Sequence, residues 1–341
     1  TPFGAVQLGP QTGNWAWEYC GGYQWKDTTV NGFSQNRING TGSSEYGDLL
    51  IMPFTGDAAR EDFSSRFSKA TEVAVPGYYS CELEDYGITA EMTCTPHVAL
   101  HRYTSSEGPV RLMLDLQNAQ TGSEERMYRR ILDCSEDWSD DRHVKGHIHS
   151  KAWNDRVIYF DIEFNRPYTV AAELPLRDPN EKIARKVLDF GASEKPLMVK
   201  VSISISSTDG ASRSIREELP GWDFEAVRKA ASRSWNEHLG RIEIKGGETE
   251  KRVFYTSMYH LMMHPNDISD CGEDAFYSTL SLWDTYRAAH PIFTIITPEI
   301  VDAFIDEVFV HAQDRIDIHF KTKDLYERAL LEIQKTTSSI Q

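Results

Sequence analysis

No apolar stretch in this sequence approaches the roughly 20 residues that a membrane-crossing helix needs, so no membrane span is expected. Positive charge is also short. Lys and Arg total 36 against 52 Asp and Glu, a balance of −16 with neutral His. A nucleic acid would be repelled over most of such a surface, and no basic run with interleaved aromatics offsets that. The same surface is compatible with neutral ligands and divalent cations. The five cysteines, Cys20, Cys81, Cys94, Cys134 and Cys271, form no CxxC pair and no metal-ligand cluster. Their odd count argues against a fully paired disulfide framework; one Cys81–Cys94 bridge and buried thiols both stay open. Internal repeats and low-complexity tracts are missing. The chain opens on Thr1 with neither Met nor a signal peptide, which leads us to expect an upstream segment that is processed or left out.

What is present is enough apolar and aromatic residue, 40% and 11% of 341, to bury two cores. Up to about Pro220 the hydrophobic period is two. Val199, Val201, Ile203 and Ile205 alternate with Lys200, Ser202, Ser204 and Ser206; Ile158, Phe160, Ile162 and Phe164 alternate with Tyr159, Asp161, Glu163 and Asn165. Leu112, Leu114 and Leu116 repeat the pattern. Such alternation gives antiparallel strands with one face on a core and one toward solvent. Turn residues break the runs at Thr55-Gly56-Asp57, Val75-Pro76-Gly77 and Thr208-Asp209-Gly210. Many strands without intervening long helices read as a β-sandwich.

After Pro220 the period becomes helical. Asp223 can cap a helix with Phe224, Val227, Ala231, Trp235 and Leu239 on one stripe. A short extended piece, Ile242 to Ile244, precedes Gly246-Gly247. A second helix is predicted from Thr249 to Met263, with Phe254, Met258, Leu261 and Met262 inward. A third begins at Thr297-Pro298, with Val301, Phe304, Ile305, Val308 and Phe309 on its apolar face. A last runs from about Asp324 to Lys335. The division is residues 1–220 for the sandwich, 221–246 for a linker helix and short strand, and 247–341 for further helices.

Several residue sets could carry chemistry. Trp283, Asp284 and Arg287 share a helical turn: from spacing alone, a core Trp beside an exposed ion pair worth a few tenths of a kcal/mol, or a sugar-binding set. Trp17, Cys20, Gly22 and Tyr23 form an aromatic, glycine-containing loop, either a capped sandwich end or one wall of a pocket. His260 and His264 stand i,i+4 but lack the Glu of an HExxH motif; together with His147 and His149 on one strand face they read as structural. Asn39-Gly40-Thr41 is a glycosylation sequon. No pair of carboxylates can be placed face to face, so no catalytic acid, base or metal ligand is assigned.

Two stretches resemble glycoside hydrolase family 92, the calcium-dependent exo-α-mannosidases. The first runs Thr1-Pro2-Phe3-Gly4-Ala5-Val6-Gln7-Leu8-Gly9-Pro10, Cys20-Gly21-Gly22-Tyr23, Gly32-Phe33-Ser34, Gly40-Thr41-Gly42, Tyr46-Gly47-Asp48, Met52-Pro53 and Pro76-Gly77-Tyr78-Tyr79. The second runs Phe254-Tyr255-Thr256 and Tyr259-His260 to Ser281-Leu282-Trp283-Asp284-Thr285-Tyr286-Arg287-Ala288-Ala289-His290-Pro291. The resemblance implies an N-terminal β-sandwich followed by the start of an (α/α)6 barrel, with the site where they meet. It implies inverting exo-cleavage of α-mannosides aided by calcium, in a secreted or periplasmic protein. Asp284 and Arg287 would hold hydroxyls of the terminal mannose with Trp283 positioning them, and Trp17 and Tyr23 would shape the aglycone side.

The chain departs from the family pattern. Gln35 and Arg37 stand where histidines usually follow Gly-Phe-Ser, so polar recognition is expected to shift there. After His311-Ala312-Gln313 the family continues with Gly-x-Leu-Pro-x-Trp; here Asp314-Arg315-Ile316 follows. We therefore expect a truncated or gapped chain without the catalytic acid, the base or the calcium ligands, inactive alone if so. The alternatives are a non-catalytic carbohydrate-binding β-sandwich protein and another glycosidase or phosphorylase of the same plan. Linkage preference and oligomeric state are not legible.

Overall fold

A computed structural model describes residues 1–13, 17–37, 46–118, 130–152, 154–176, 183–278, 288–311 and 315–320. Its first two-thirds are the β-sandwich that the alternation predicts. One sheet orders its strands Gly9–Gln11, Gly32–Ser34, Leu50–Phe54, Arg111–Asp115, Arg185–Asp189 and Thr169–Glu173. The other orders Arg130–Asp137, His143–Lys151, Asp155–Phe164, Leu197–Ser204, Val98–Ser105, Ile88–Cys94, Tyr78–Leu83 and Val73–Val75. Neighbours in both run antiparallel. Between the sheets lies the main core, where Phe33, Phe54, Phe160, Ile162, Val199 and Val201 are buried.

The second face of the larger sheet is not open to solvent, contrary to the simple alternation. Lys200, Ser202 and Ser204 are buried because helices Thr208–Glu218 and Phe224–Leu239 pack across that face. Val98, Leu100 and Met198 meet Ile215, Leu219, Phe224 and Val227 there. The buried Lys200 ammonium is matched by Glu163 at 3.0 Å and the Trp222 ring at 4.0 Å, as a desolvated charge requires. Asp161, also buried, accepts from Ser212, His143 and Lys145 at 2.6, 2.9 and 3.1 Å.

Thr208-Asp209-Gly210 is therefore the first turn of a helix, not a loop. Ser207 caps it by accepting from the Gly210 amide at 3.0 Å. Turn formers and helix N-termini share residue types, which is why the sequence misleads there. Helix Phe224–Leu239 starts at the predicted Asp223 cap and buries Phe224, Val227, Ala231 and Trp235. Helix Glu248–Leu261 follows, with Met258 and Met262 inward. Ile242 to Ile244 joins no ladder. The helix predicted from Thr297 stops at Phe304, and the chain turns into a hairpin of Ile305–His311 and Arg315–Phe320. β-Branched Ile305, Val308, Val310, Ile316 and Ile318 favour that outcome. The helix expected at Asp324–Lys335 lies outside the described residues.

None of the five cysteines is in a disulfide, and the Cys81–Cys94 bridge does not form. The register sets Cys81 opposite Ala90, and four residues at ~3.3 Å each separate Ala90 from Cys94, beyond disulfide reach. Burial pushes the Cys81 thiol up to about 12.

The N-terminal segment ties sheets to helices. Phe3 is buried against Trp235, Met258, Met262 and Phe293, 5.6 Å edge-to-face from the Phe293 ring. Its φ of 55° is left-handed and unfavourable for a bulky residue. Bonds from its amide to the Met262 carbonyl (2.9 Å) and from the Asp267 amide to its own carbonyl (2.7 Å) hold it there. Close by, buried His97 meets Glu218 through its amide at 3.1 Å and through Nδ1. Glu218, whose hydrogen bond and charge outweigh the opposing effect of burial, raises the His97 pKa; His97 in turn lowers that of Glu218 against its own desolvation.

Two expectations follow from this junction. Phe3→Ala removes the anchoring ring and destabilises the protein by about 4 kcal/mol, read as a lower urea midpoint. The His97–Glu218 pair contributes most between the ordinary values of 4.5 and 6.5. Above that window its stabilisation is lost as pH rises through the raised His97 pKa, and below it as pH falls through the lowered Glu218 pKa. Urea titrations of wild type and His97→Gln across pH 3.5 to 8.5 give a stability difference that peaks inside the window; a flat difference refutes it.

Candidate functional site

Where the sandwich edge meets the helices, a cleft of about 840 Å³ opens. Four separated sequence stretches converge on it: the N-terminal segment through Gly4, Gln7 and Pro10, the loop at Gly21 and Tyr23, the turn Pro76-Gly77-Tyr78-Tyr79, and Tyr255, Tyr259 and His260 from helix Glu248–Leu261. These are the motif stretches singled out in the sequence.

Local physics explains each wall. Gly77, at φ 85°, turns the chain against helix Phe224–Leu239; a Cβ there would lie 3.0 Å from Ala231 backbone and side-chain carbons. Thr93 Oγ1 donates to the Gly77 carbonyl at 2.8 Å, and Arg228 stacks 3.6 Å from the Tyr78 ring centre. Gln7 Nε2 donates to the Met263 carbonyl at 2.7 Å, and Asn266 Nδ2 to the Gly4 carbonyl at 2.8 Å. The floor is thus pinned to the helical side.

Arg37 is buried at the cleft wall. Its guanidinium donates to the carbonyls of Gly21, Asn36, Gly9 and Pro10 and to Ser34 Oγ. Every donor is committed to holding loops. Burial lowers its pKa to about 9, with Asp48 opposing. Gly22, at φ 78°, leaves the room the guanidinium fills. Gln35 is likewise turned inward, bonding Phe33 and Leu49 carbonyls and accepting from His101 Nε2 at 3.1 Å. His101 is held neutral by burial, its pKa pushed down to about 3. Neither residue is free for polar recognition in the cleft.

Tyr23 lines the cleft with its hydroxyl engaged. It donates to Glu72 Oε2 at 3.0 Å and accepts from Lys69 Nζ at 2.6 Å. Tyr79 donates to Glu72 Oε1 at 2.8 Å. Desolvation, then the bond to Glu72, raises the Tyr23 pKa, and burial raises that of Tyr79. Both are neutral phenols that offer rings more than hydroxyls. Glu72 and Lys69 had no motif signal; only a folded chain brings them beside the cleft.

Of the other sequence candidates, Trp17 has a described backbone, in the helical turn Trp17–Tyr19, but its side chain lies outside the described residues. Trp283, Asp284 and Arg287 lie outside them altogether, as does Asn39. His147 pairs with Asp133 at 3.0 Å and His149 with Asp155 at 2.8 Å, so each has a carboxylate of its own. His260 sits exposed on the cleft rim, while His264 is half-buried with its pKa lowered to about 4 by desolvation. Glu248 is the one carboxylate among the described residues lining the cleft. No three His, Cys, Asp or Glu side chains converge to hold a metal among the described residues. They do not fit the calcium that the resemblance implies.

Comparison with known proteins gives a consistent outcome. The glycosyl hydrolase family 92 N-terminal domain matches residues 1–204, and that family's catalytic domain matches residues 210–319. A family 92 α-mannosidase from Bacteroides thetaiotaomicron is 27% identical, with a TM-score of 0.76 over 88% of this chain and 45% of its own; it has also been solved with mannoimidazole. The family 92 hydrolase ccman5, 22% identical with a TM-score of 0.73 over 88% of this chain and 44% of its own, shares the fold. An uncharacterized secreted glycosidase of Arthroderma benhamiae is 27% identical over 79% of this chain and 40% of that protein. The chain thus spans less than half the length of these relatives. With its sandwich and the following helical segment both matched, it belongs to glycosyl hydrolase family 92.

Proposed function

We propose that this chain supplies the sandwich and the first helical part of a secreted exo-acting α-mannosidase. The observation that carries the reading is the convergence of four family-specific stretches on one cleft between sheet and helices. A pyranose has an apolar C–H face and a rim of hydroxyls, so it suits a pocket with rings on one side and polar groups on another. Tyr23 and Tyr79 provide rings among the described residues, and Trp17 would extend that wall on the aglycone side. Trp283 would position Asp284 and Arg287, whose charged groups can each engage two adjacent hydroxyls of the terminal mannose.

Inverting hydrolysis needs a protonated carboxyl at the leaving oxygen and a carboxylate that activates water on the opposite ring face, about 6.5–9.5 Å apart. Glu248 alone does not make that pair, so neither role is assigned within the chain. Calcium ligands are likewise not assigned. That Glu248 is the one carboxylate among the described residues lining the cleft favours, as a second reading, a carbohydrate-binding protein without turnover.

Incubation with an aryl α-mannoside separates the readings. Mannose released as the β-anomer, followed by NMR, and abolished by a chelator supports the mannosidase. Mannoimidazole or mannose binding without release supports the second reading, and cleavage only in phosphate indicates a phosphorylase.

A further inference from the structure

Outside the cleft, beside Tyr23, one aromatic side chain is held in an unusual way. Trp25 is 71% exposed, and a cation bears on its ring. The Lys69 ammonium lies 5.0 Å from its ring centre, 4.5 Å from that of Tyr23 and 4.1 Å from that of Phe67. The same ammonium donates to Tyr23 Oη at 2.6 Å and pairs with Glu72 at 3.2 Å. Glu72 is buried, its side chain 5% exposed, and it also receives Tyr79. The lysine is thereby fixed from below, and its charge is neutralised by a carboxylate.

An exposed indole on a rigid cation is a preorganised flat surface. The cation modestly favours one ring orientation, which lowers the ordering cost when something stacks on it, and indole faces suit the C–H side of a pyranose. Ammonium groups carry three N–H donors. Two of Lys69's are spent on Tyr23 and Glu72, which leaves one beside the ring for a hydroxyl. Because Glu72 cancels the charge, an anionic ligand gains little here.

The patch is continuous with the cleft. Tyr23 lines the cleft and receives Lys69, and the chain from Lys69 through Glu72 runs directly into the exposed edge strand Val73–Val75, of which Ala74 and Val75 also line the cleft. We infer that Trp25 and Lys69 form a distal platform for a neutral glycan chain, stacking a pyranose on the reducing side of the sugar held in the cleft. The inference rests on the mannosidase reading for the identity of the glycan, an α-mannan.

Trp25→Ala and Trp25→Tyr test it, since an exposed side chain can be changed without disturbing a core. The quantity read is the ratio of kcat/KM for an α-linked mannotetraose to that for an aryl α-mannoside. It falls about tenfold in Trp25→Ala and recovers at least half of that in Trp25→Tyr; an unchanged ratio overturns the platform. Affinity electrophoresis through a gel containing mannan gives a second readout independent of turnover. Wild type is retarded, and Trp25→Ala migrates as it does without mannan. If wild type cleaves neither substrate, the carbohydrate-binding reading is favoured over the mannosidase one, and the gel alone decides the platform. Equal migration of wild type and variant, or no retardation of wild type, overturns it.

Discussion

The sheets and helices of this chain share one structural peg, the Phe3 ring. Set in a backbone conformation that a bulky residue resists, it fills the helical core while its own amide and carbonyl bond residues that follow helix Glu248–Leu261. Four residues on, Gln7 bonds Met263 on one side and Gln35 on the other. The N-terminal segment is thus a seam stitched to both halves, and the cleft is the space left along it. Strain of about 1–2 kcal/mol at one left-handed residue persists because several independent contacts fix that conformation at once.

A second constraint is the amount of charge buried in the chain. Lys200, Asp161, Arg37 and His97 are all withdrawn from water, and each meets an opposite charge, an acceptor or a ring at close range. Such groups contribute little net stability compared with apolar substitutes, but removing one partner leaves the other stranded. They specify register and docking. Arg37 is the clearest instance, since its five donors gather strand Gly9–Gln11, the Gly21 carbonyl and Ser34 around one planar group.

The sandwich was legible because period-two alternation survives wherever one face meets a core: Phe160, Ile162, Val199 and Val201 are buried as their spacing implies. The alternation misled at Lys200 and Ser202, where helices cover the polar face, a tertiary event that no local pattern reports. Asp223 gave a clean helix start, whereas Ser207 was hidden among residues that also make turns. Downstream of Thr297, apolar residues at helical spacing were also β-branched, and the β preference prevailed from Ile305 onward. For the cleft, the glycines and Tyr23 were readable as motif positions. Glu72, Lys69 and Asn266 were not, because their roles arise from partners remote in sequence, as with Asn266 and Gly4, 262 positions apart.

The five unbridged sulfurs carry a consequence for where this chain can work. A fold with no disulfide draws none of its stability from a covalent cross-link that a reducing environment could break. Cys81, whose raised pKa keeps the thiolate scarce, is poorly disposed to oxidation even where oxidants abound.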